Sequence, residues 1–427
     1  MAKTGIKITT VDTVLGASND VNKTSALIFD RRCVTPQGTR FKQDVLYKLT
    51  SVQGLEALGV TKENNPIVYE QVSDFYNPSQ FIDNTGTVLW IGFVLEADMW
   101  DEGGASDSVY PSDLIVQSTA VSFDERPRQV GFVISYNFDG DAVCEDPDYV
   151  SYIVQRELAK LSNSYDIRAV GVVNYVCIIR ELEDDSTNFL LQYPHAVTKE
   201  GGYPFVAVSI AGKNYLSTKV EGNNVVEPTI GLTLGFLSSV SVGTSIGDGG
   251  LPAMTTPLYL YIFTAGEGSS YPHCLACSSL SKTVCDSLGE KQYLFARTRP
   301  PRNGLWWNDG ATVNDSDNAL STLEAARTIC SMADDLQSFF VPYINSRVPV
   351  TSTGDIQPTY KQVVLDNARA AVVQKYIESG DISDARINLV AKDNDMIGTR
   401  TWEVTLSILP APTLRWIDGY VFYVKSL

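Results

Sequence analysis

Short apolar runs alternate with helix-forming stretches along most of this chain, and that alternation limits its possible folds more than any other feature. Ser25-Ala26-Leu27-Ile28-Phe29 opens a first compact unit, Val45-Leu46-Tyr47-Lys48-Leu49 follows, and helices are expected near 51–58 and 67–76. Val88-Leu89-Trp90-Ile91-Gly92-Phe93-Val94 closes that unit as a strand. A second region repeats the pattern, with an apolar run at 130–136, a helix at 149–162 and a strand at 170–179. Further apolar runs lie at 205–210, 230–242 and 258–263. Strands separated by helices predict an α/β fold, with some α+β mixing, spread over more than one domain. A length of 427 residues agrees, because a single core rarely grows that large.

The last third reads differently. A helix is expected over 321–340, with Leu323, Ala326, Ile329 or Cys330, Ala333 and Leu336 at helical spacing and Pro342 as its stop. A second runs from Pro358 to Ser379 and ends at Gly380. Strands follow at 385–390 and 402–408, where Trp402, Val404, Leu406 and Ile408 share one face. The final stretch, Gly419-Tyr420-Val421-Phe422-Tyr423-Val424, is apolar on both faces and so expects neighbours on every side. At the other end, residues 4–12 read as a strand in which Ile6 and Ile8 alternate with Lys7 and Thr9, and a polar tether from Gly16 to Lys23 comes next. Strand addition between chains requires such terminal strands. The expected inter-subunit contacts are Ile6, Ile8 and Val11 from the first arm, and Trp416, Tyr420, Phe422 and Val424 from the last. Pairing within the same subunit is the alternative, stronger for the C-terminal strand than for the tethered N-terminal one.

The formal net charge of −17, with no basic stripe to offset it, speaks against nucleic acid as a partner, since such binding gains most of its strength from neutralised phosphates. No apolar run is long enough to cross a bilayer, and the opening Met1-Ala2-Lys3-Thr4-Gly5-Ile6 lacks the apolar core of a secretory signal, so folding in a cytoplasm is expected. The seven cysteines are odd in number and scattered, which predicts free, mostly buried thiols.

Motifs of chemistry are present only in fragments. Gly243-Thr244-Ser245-Ile246-Gly247 fits the nucleophile-elbow spacing, but Asp248-Gly249-Gly250-Leu251-Pro252 follows where a helix would have to begin, so a glycine-rich turn is expected. The two histidines, His195 and His273, sit in no acid/base context. Cys274 and Cys277, with Cys285 beyond, offer one zinc-like pair without a second; Cys285 on a helix would face the core. The acidic residues Asp139, Asp141, Glu145, Asp146 and Asp148 lack the ligand order of a calcium loop, and Asp393-Asn394-Asp395 reads likewise as a solvated loop. No catalytic residue, cofactor or metal is therefore expected, and the chain is not read as an enzyme.

Two series of segments resemble the contractile phage tail sheath family. The first joins Ser25–Phe29, Leu49-Thr50-Ser51-Val52, Leu58-Gly59-Val60, Val72-Ser73-Asp74-Phe75-Tyr76 and Val88–Val94. The second joins Asn303-Gly304-Leu305-Trp306-Trp307-Asn308-Asp309-Gly310, Asp317-Asn318-Ala319-Leu320, Leu323-Glu324 and Arg327, the last on an arginine-bearing helix. Between them, Ile230-Gly231-Leu232-Thr233-Leu234-Gly235-Phe236 is similar to the helix that precedes the family's final domain. Residues 100–225 match only loosely, and the likeness is to short, divergent members.

The resemblance implies a tail-sheath-like fold with extended terminal arms. Its parts would be an arm and tether over 1–24, an N-terminal α/β part of the body over 25–111, a middle α/β domain over 112–295, a C-terminal domain over 296–415 and a strand arm over 416–427. It further implies a helical homopolymer with six subunits per ring around an inner tube protein, assembled in a bacterial host cytoplasm and bounded by baseplate and tail terminator proteins. A tube, baseplate or capsid component of such a particle is the alternative.

Overall fold

The computed structural model describes residues 24–95, 109–120, 125–134, 146–179, 189–196, 202–213, 219–220, 223–224, 227–254, 256–266, 269–315 and 318–411. Both terminal arms lie outside the described residues. So do Asp139, Asp141 and Glu145 of the acidic cluster.

The core is a seven-stranded sheet. It contains β1 (Ser25–Asp30), β2 (Tyr47–Leu49), β3 (Leu89–Val94), β4 (Gln129–Val133), β5 (Val170–Asn174), β7 (Val206–Ser209) and β10 (Tyr293–Leu294). Their spatial order is β10-β7-β5-β4-β1-β3-β2, all parallel except β2, which runs antiparallel to β3 at one edge. The interior strand β1 pairs Leu27 with Ile91 on one side and with Gly131 on the other. Every residue of β1, β3, β4 and β5 is buried, as parallel strands covered on both faces require. The sheet takes strands from both sides of position 111.

Helices cover the two faces. They include α1 (Val52–Glu56), capped by the Ser51 hydroxyl, α2 (Pro66–Tyr76), α3 (Pro111–Val116) and α4 (Pro147–Tyr165), whose first turn is capped by Asp146. Glu157 of α4 is fully buried and serves as an internal cap: it accepts from the Ser112 N–H at 3.1 Å and the Ser112 hydroxyl at 2.6 Å, while Lys160 donates to it at 2.9 Å. A buried carboxylate is tolerable only with this number of donors.

The helix read from the resemblance, α5 (Ile230–Ser239), is buried along nearly its whole length. It packs closely on α2 because Gly231 and Gly235 present no side chain there; a Cβ on Gly235 would sit 2.8 Å from the Phe75 carbonyl oxygen. Gln71 seals the contact, donating to Pro228 O at 2.6 Å and accepting from Gly231 N at 2.7 Å. On the sheet side, Gly131 of β4 makes room for Ile230 and Leu234.

The expected single strand over 170–179 is two strands in two sheets. β5 ends at Asn174, whose side-chain amide binds both Ile134 N and Ile134 O at the end of β4, and β6 (Cys177–Ile179) then runs parallel to β8 (Tyr259–Gly266). β8 also pairs antiparallel with β9 (Ser269–Ala276). After α6 (Lys282–Glu290) and β10 comes a hairpin of β11 (Ala296–Arg299) and β12 (Arg302–Trp307).

Candidate assembly surface

Past β12 the chain builds a smaller unit from α7 (Leu323–Phe340), α8 (Pro358–Ala368) and two long strands, β13 (Ile382–Ala391) and β14 (Trp402–Pro410). Thr322 caps α7 by accepting from Ala325 N. The Tyr343 and Trp402 rings pack 5.6 Å apart beyond its C-terminus. The helix expected over 358–379 is interrupted: a π-helical turn at Arg369–Val373 links α8 to a further helical segment, Gln374–Glu378. The extra residue of such a turn rotates the buried face, so that Val364 and Ala368 before it, Val372 and Val373 within it and Tyr376 after it are all buried. Gly380, at φ +76°, ends the segment as expected.

α7 is joined to the large sheet by buried charge. Arg168, at the entry to β5, donates to Asp334 at 2.6 Å and to Gln337 at 2.7 Å. Arg128, at the entry to β4, pairs with the same Asp334. Arg327, the arginine singled out by the resemblance, is 4% exposed and donates to Leu237 O at 2.7 Å and to Ser241 O at 3.4 Å, so it holds the C-terminal end of α5. Burial pushes its guanidinium down to about 10.

β13 and β14 form an antiparallel pair with Ala385 opposite Ile408 and Leu389 opposite Val404. The expected alternation holds: Trp402, Val404, Leu406 and Ile408 are half-buried against the helices, whereas Glu403, Thr405, Ser407 and Leu409 are exposed. Among the described residues this is a two-stranded sheet, so each strand pairs along one edge and leaves the other without a strand neighbour. Strand edges of this length, nine and ten residues, are normally covered or blunted because they template pairing with another chain. Exposed apolar side chains gather in the same unit. Val341, Ile344, Val350, Val363, Ile397 and Leu409 are six of the ten large hydrophobic residues that stand open to solvent among those described.

Of the contacts expected from the sequence, Ile6, Ile8, Val11, Trp416, Tyr420, Phe422 and Val424 all lie outside the described residues. β14 ends at Pro410, and Trp416 follows it by six positions. The edges of β13 and β14 that have no strand neighbour among the described residues escape sequence reading because nothing in a strand's side chains says which edge is paired.

The fragments of chemistry resolve into structure. Ser245 lies in a turn, 6% exposed, and its hydroxyl accepts from Gly247 N at 3.2 Å. His195 is exposed. Cys274 is exposed, while Cys277 and Cys285 are buried, Cys285 on α6 as its spacing predicted. Burial pushes both buried thiols up. No group of three or more potential metal ligands occurs among the described residues. Asp395 caps the turn at Met396–Thr399, in keeping with a loop at 393–395.

No family model matches the sequence, and no curated protein is similar to it. Solved structures are similar over the full length. A chain of the anti-feeding prophage baseplate, determined by cryo-electron microscopy with six-fold symmetry, superposes with a TM-score of 0.56 at 11% identity, covering 99% of this chain and 99% of that one. This chain has the fold of that contractile-particle protein. A chain of the same baseplate in its contracted state gives a TM-score of 0.51 at 11% identity, with 99% and 98% covered. The sheath tail protein of Desulfitobacterium hafniense gives 0.47 at 8% identity, over 95% and 100%. The mixed α/β fold expected from the sequence is borne out, and so, at the level of fold, is the likeness to proteins of contractile particles.

Proposed function

We propose that this chain is a structural subunit of a contractile tail or tail-like injection particle, and within it a sheath subunit that polymerises as a helical cylinder around an inner tube. The observation that carries this reading is the end-to-end match in fold to a baseplate chain of such a particle, at 99% coverage of both chains. The β13–β14 pair supports the polymer: two strand edges without a strand neighbour among the described residues, in a unit that also exposes apolar side chains, are suited to receive the arms 1–24 and 416–427 of neighbouring copies. Each added strand would satisfy backbone groups along the edge and cover apolar surface, and it would leave the bodies free to shift while the pairing holds. The partners are then further copies in six-membered rings, the tube protein, and the baseplate and terminator proteins at the ends of the cylinder, all assembled in the bacterial host cytoplasm. The chain performs no catalysis in this role.

A baseplate position is the second reading, favoured because the two chains that superpose with the higher TM-scores belong to baseplates. Electron microscopy of the purified chain separates the two. A sheath subunit gives wide cylinders with cogwheel ends, whereas a baseplate component gives closed rings or wedges that do not extend. Monodisperse monomer at high concentration in the presence of tube protein would sink both.

A further inference from the structure

The chain enters the large sheet at Thr24 and Ser25, and both residues are tied there to other segments. Arg128 N donates to the Thr24 carbonyl at 3.0 Å and Ser25 N donates to Val88 O at 3.2 Å, so the entry to β1 is bonded to the entries of β4 and β3. Beside these bonds lies a buried polar cluster. The Ser25 and Ser238 hydroxyls are 3.0 Å apart, and the Gln129 side-chain amide donates to both. Breaking such a cluster strands desolvated donors and acceptors, so its members resist separation together. Two of these contacts lead straight to the C-terminal unit. Arg128, which holds Thr24 by its N–H, sends its guanidinium to Asp334 of α7. Ser238 follows Leu237, whose carbonyl accepts from Arg327 of α7 at 2.7 Å. The strand itself is buried throughout and pairs with β3 over six residues and with β4 over five, so it cannot leave the sheet without breaking both ladders.

We propose that this cluster is a force-bearing joint: a pull on residues 1–23 enters at Thr24 and Ser25 and passes through Arg128 and Ser238 to α7 and the C-terminal unit, while β1 stays in place. Its use in a particle rests on the reading of residues 1–24 as an arm held by a neighbouring copy, whereas its strength is a property of the single chain. A load taken up by one arm then reaches the unit that carries β13 and β14 through a few side chains, and the rest of the sheet is spared. Bonds loaded together share the pull, in contrast to a strand peeled from one end, where they fail one at a time.

The test stretches single full-length chains at constant force in an optical trap, in two geometries. Handles ahead of Met1 and at the exposed Ser352 of the C-terminal unit load the joint; handles at the exposed Glu56 of α1 and at Ser352 load the body from an edge of the sheet instead. In the first geometry the wild type should open in one step that takes the sheet and α7 together. Replacing Ser25 and Ser238 with Ala removes both acceptors of the Gln129 amide, and should shorten the folded lifetime in that geometry roughly five- to a hundredfold, with a much smaller change in the second. Equal shortening in both geometries would reduce the cluster to ordinary packing and overturn the proposal. So would an early wild-type step of roughly 75 Å, the length of residues 25–46 at ~3.3–3.6 Å each, because β1 would then have left before α7 was loaded. Should the double variant not fold, the wild-type traces decide alone: the early step overturns the joint and its absence sustains it. A chain that gives the expected traces and never forms cylinders refutes the polymer and leaves the joint standing.

Discussion

Arg168 donates to Asp334 across 2.6 Å, and through this pair the strand entry at β5 holds the middle of α7. Asp334 is 3% exposed and also receives Arg128, so its removal leaves two buried guanidiniums without their shared acid. Asp334→Ala should therefore cost about 3–5 kcal/mol, read as a lower urea midpoint with an unchanged slope. A loss within ~0.5 kcal/mol would mean that solvent replaces the acid and that apolar contacts dock the C-terminal unit.

The contact of α5 with α2 rests on absent side chains. A Cβ at Gly231 would collide with the Gln71 carbonyl, and at Gly235 with that of Phe75, both rigid helix backbone. Gly231→Ala or Gly235→Ala should each destabilise by roughly 1–3 kcal/mol or more, despite the gain in helix propensity. Gly289 on α6 has nothing within 4 Å of the same position and serves as the control. Gly289→Ala should be neutral or stabilising in the same thermal melts.

Asp74 of α2 sits 2.8 Å from the Lys213 ammonium, yet burial pushes its carboxyl up from 3.8 to about 6 against that attraction. The folded chain thus binds this proton more tightly than the unfolded chain. Ionisation of Asp74 opposes folding fully above about pH 6, and the opposition fades as pH falls from 6 towards 3.8. Relative to Asp74→Asn, which cannot titrate, the wild type should gain stability between pH 7 and pH 4, by about 3 kcal/mol at most. Parallel pH profiles for the two proteins would show that Asp74 is charged and solvated in both states.

Cys274→Ser, Cys285→Ala and Ser245→Ala should leave assembly intact, since burial pushes the Cys285 thiol up and the Ser245 hydroxyl braces its own turn and bonds the Asp309 carboxylate at 3.4 Å. Elemental analysis should find no stoichiometric zinc in the purified protein. One zinc per chain, lost together with Cys274, would contradict this.

The arms carry the proposed polymer, so their loss should separate folding from assembly. Replacing Ile6 and Ile8 with Asp should abolish cylinders in the microscope while leaving circular dichroism and the melting temperature of the monomer unchanged. Deleting 416–427 should likewise stop polymerisation by removing the apolar residues Trp416, Tyr420, Phe422 and Val424, each contributing roughly 1.5–3 kcal/mol when buried. Normal cylinders from either variant would leave the edges of β13 and β14 without their proposed occupants.

Sequence alone determined the elements whose periodicity repeats over several turns or pleats. The helix at Pro147–Tyr165, the stop of α7 before Pro342, the Gly380 terminus and the alternation along β14 were all legible, because local burial preference and backbone restriction act within a few residues. The tertiary structure decided everything that depends on residues far apart in the chain. The break between Val170–Asn174 and Cys177–Ile179 is set by Asn174 binding Ile134, and the strand order places β4 beside β1 instead of β3. The π turn at Arg369–Val373 restores a buried face that the helical period alone would have lost. Sharing of Asp334 by Arg128 and Arg168 joins positions more than 160 residues apart, and no local pattern marks any of the three. Whether a strand edge is open depends on which other strands reach it, and that is a property of the folded chain and its neighbours.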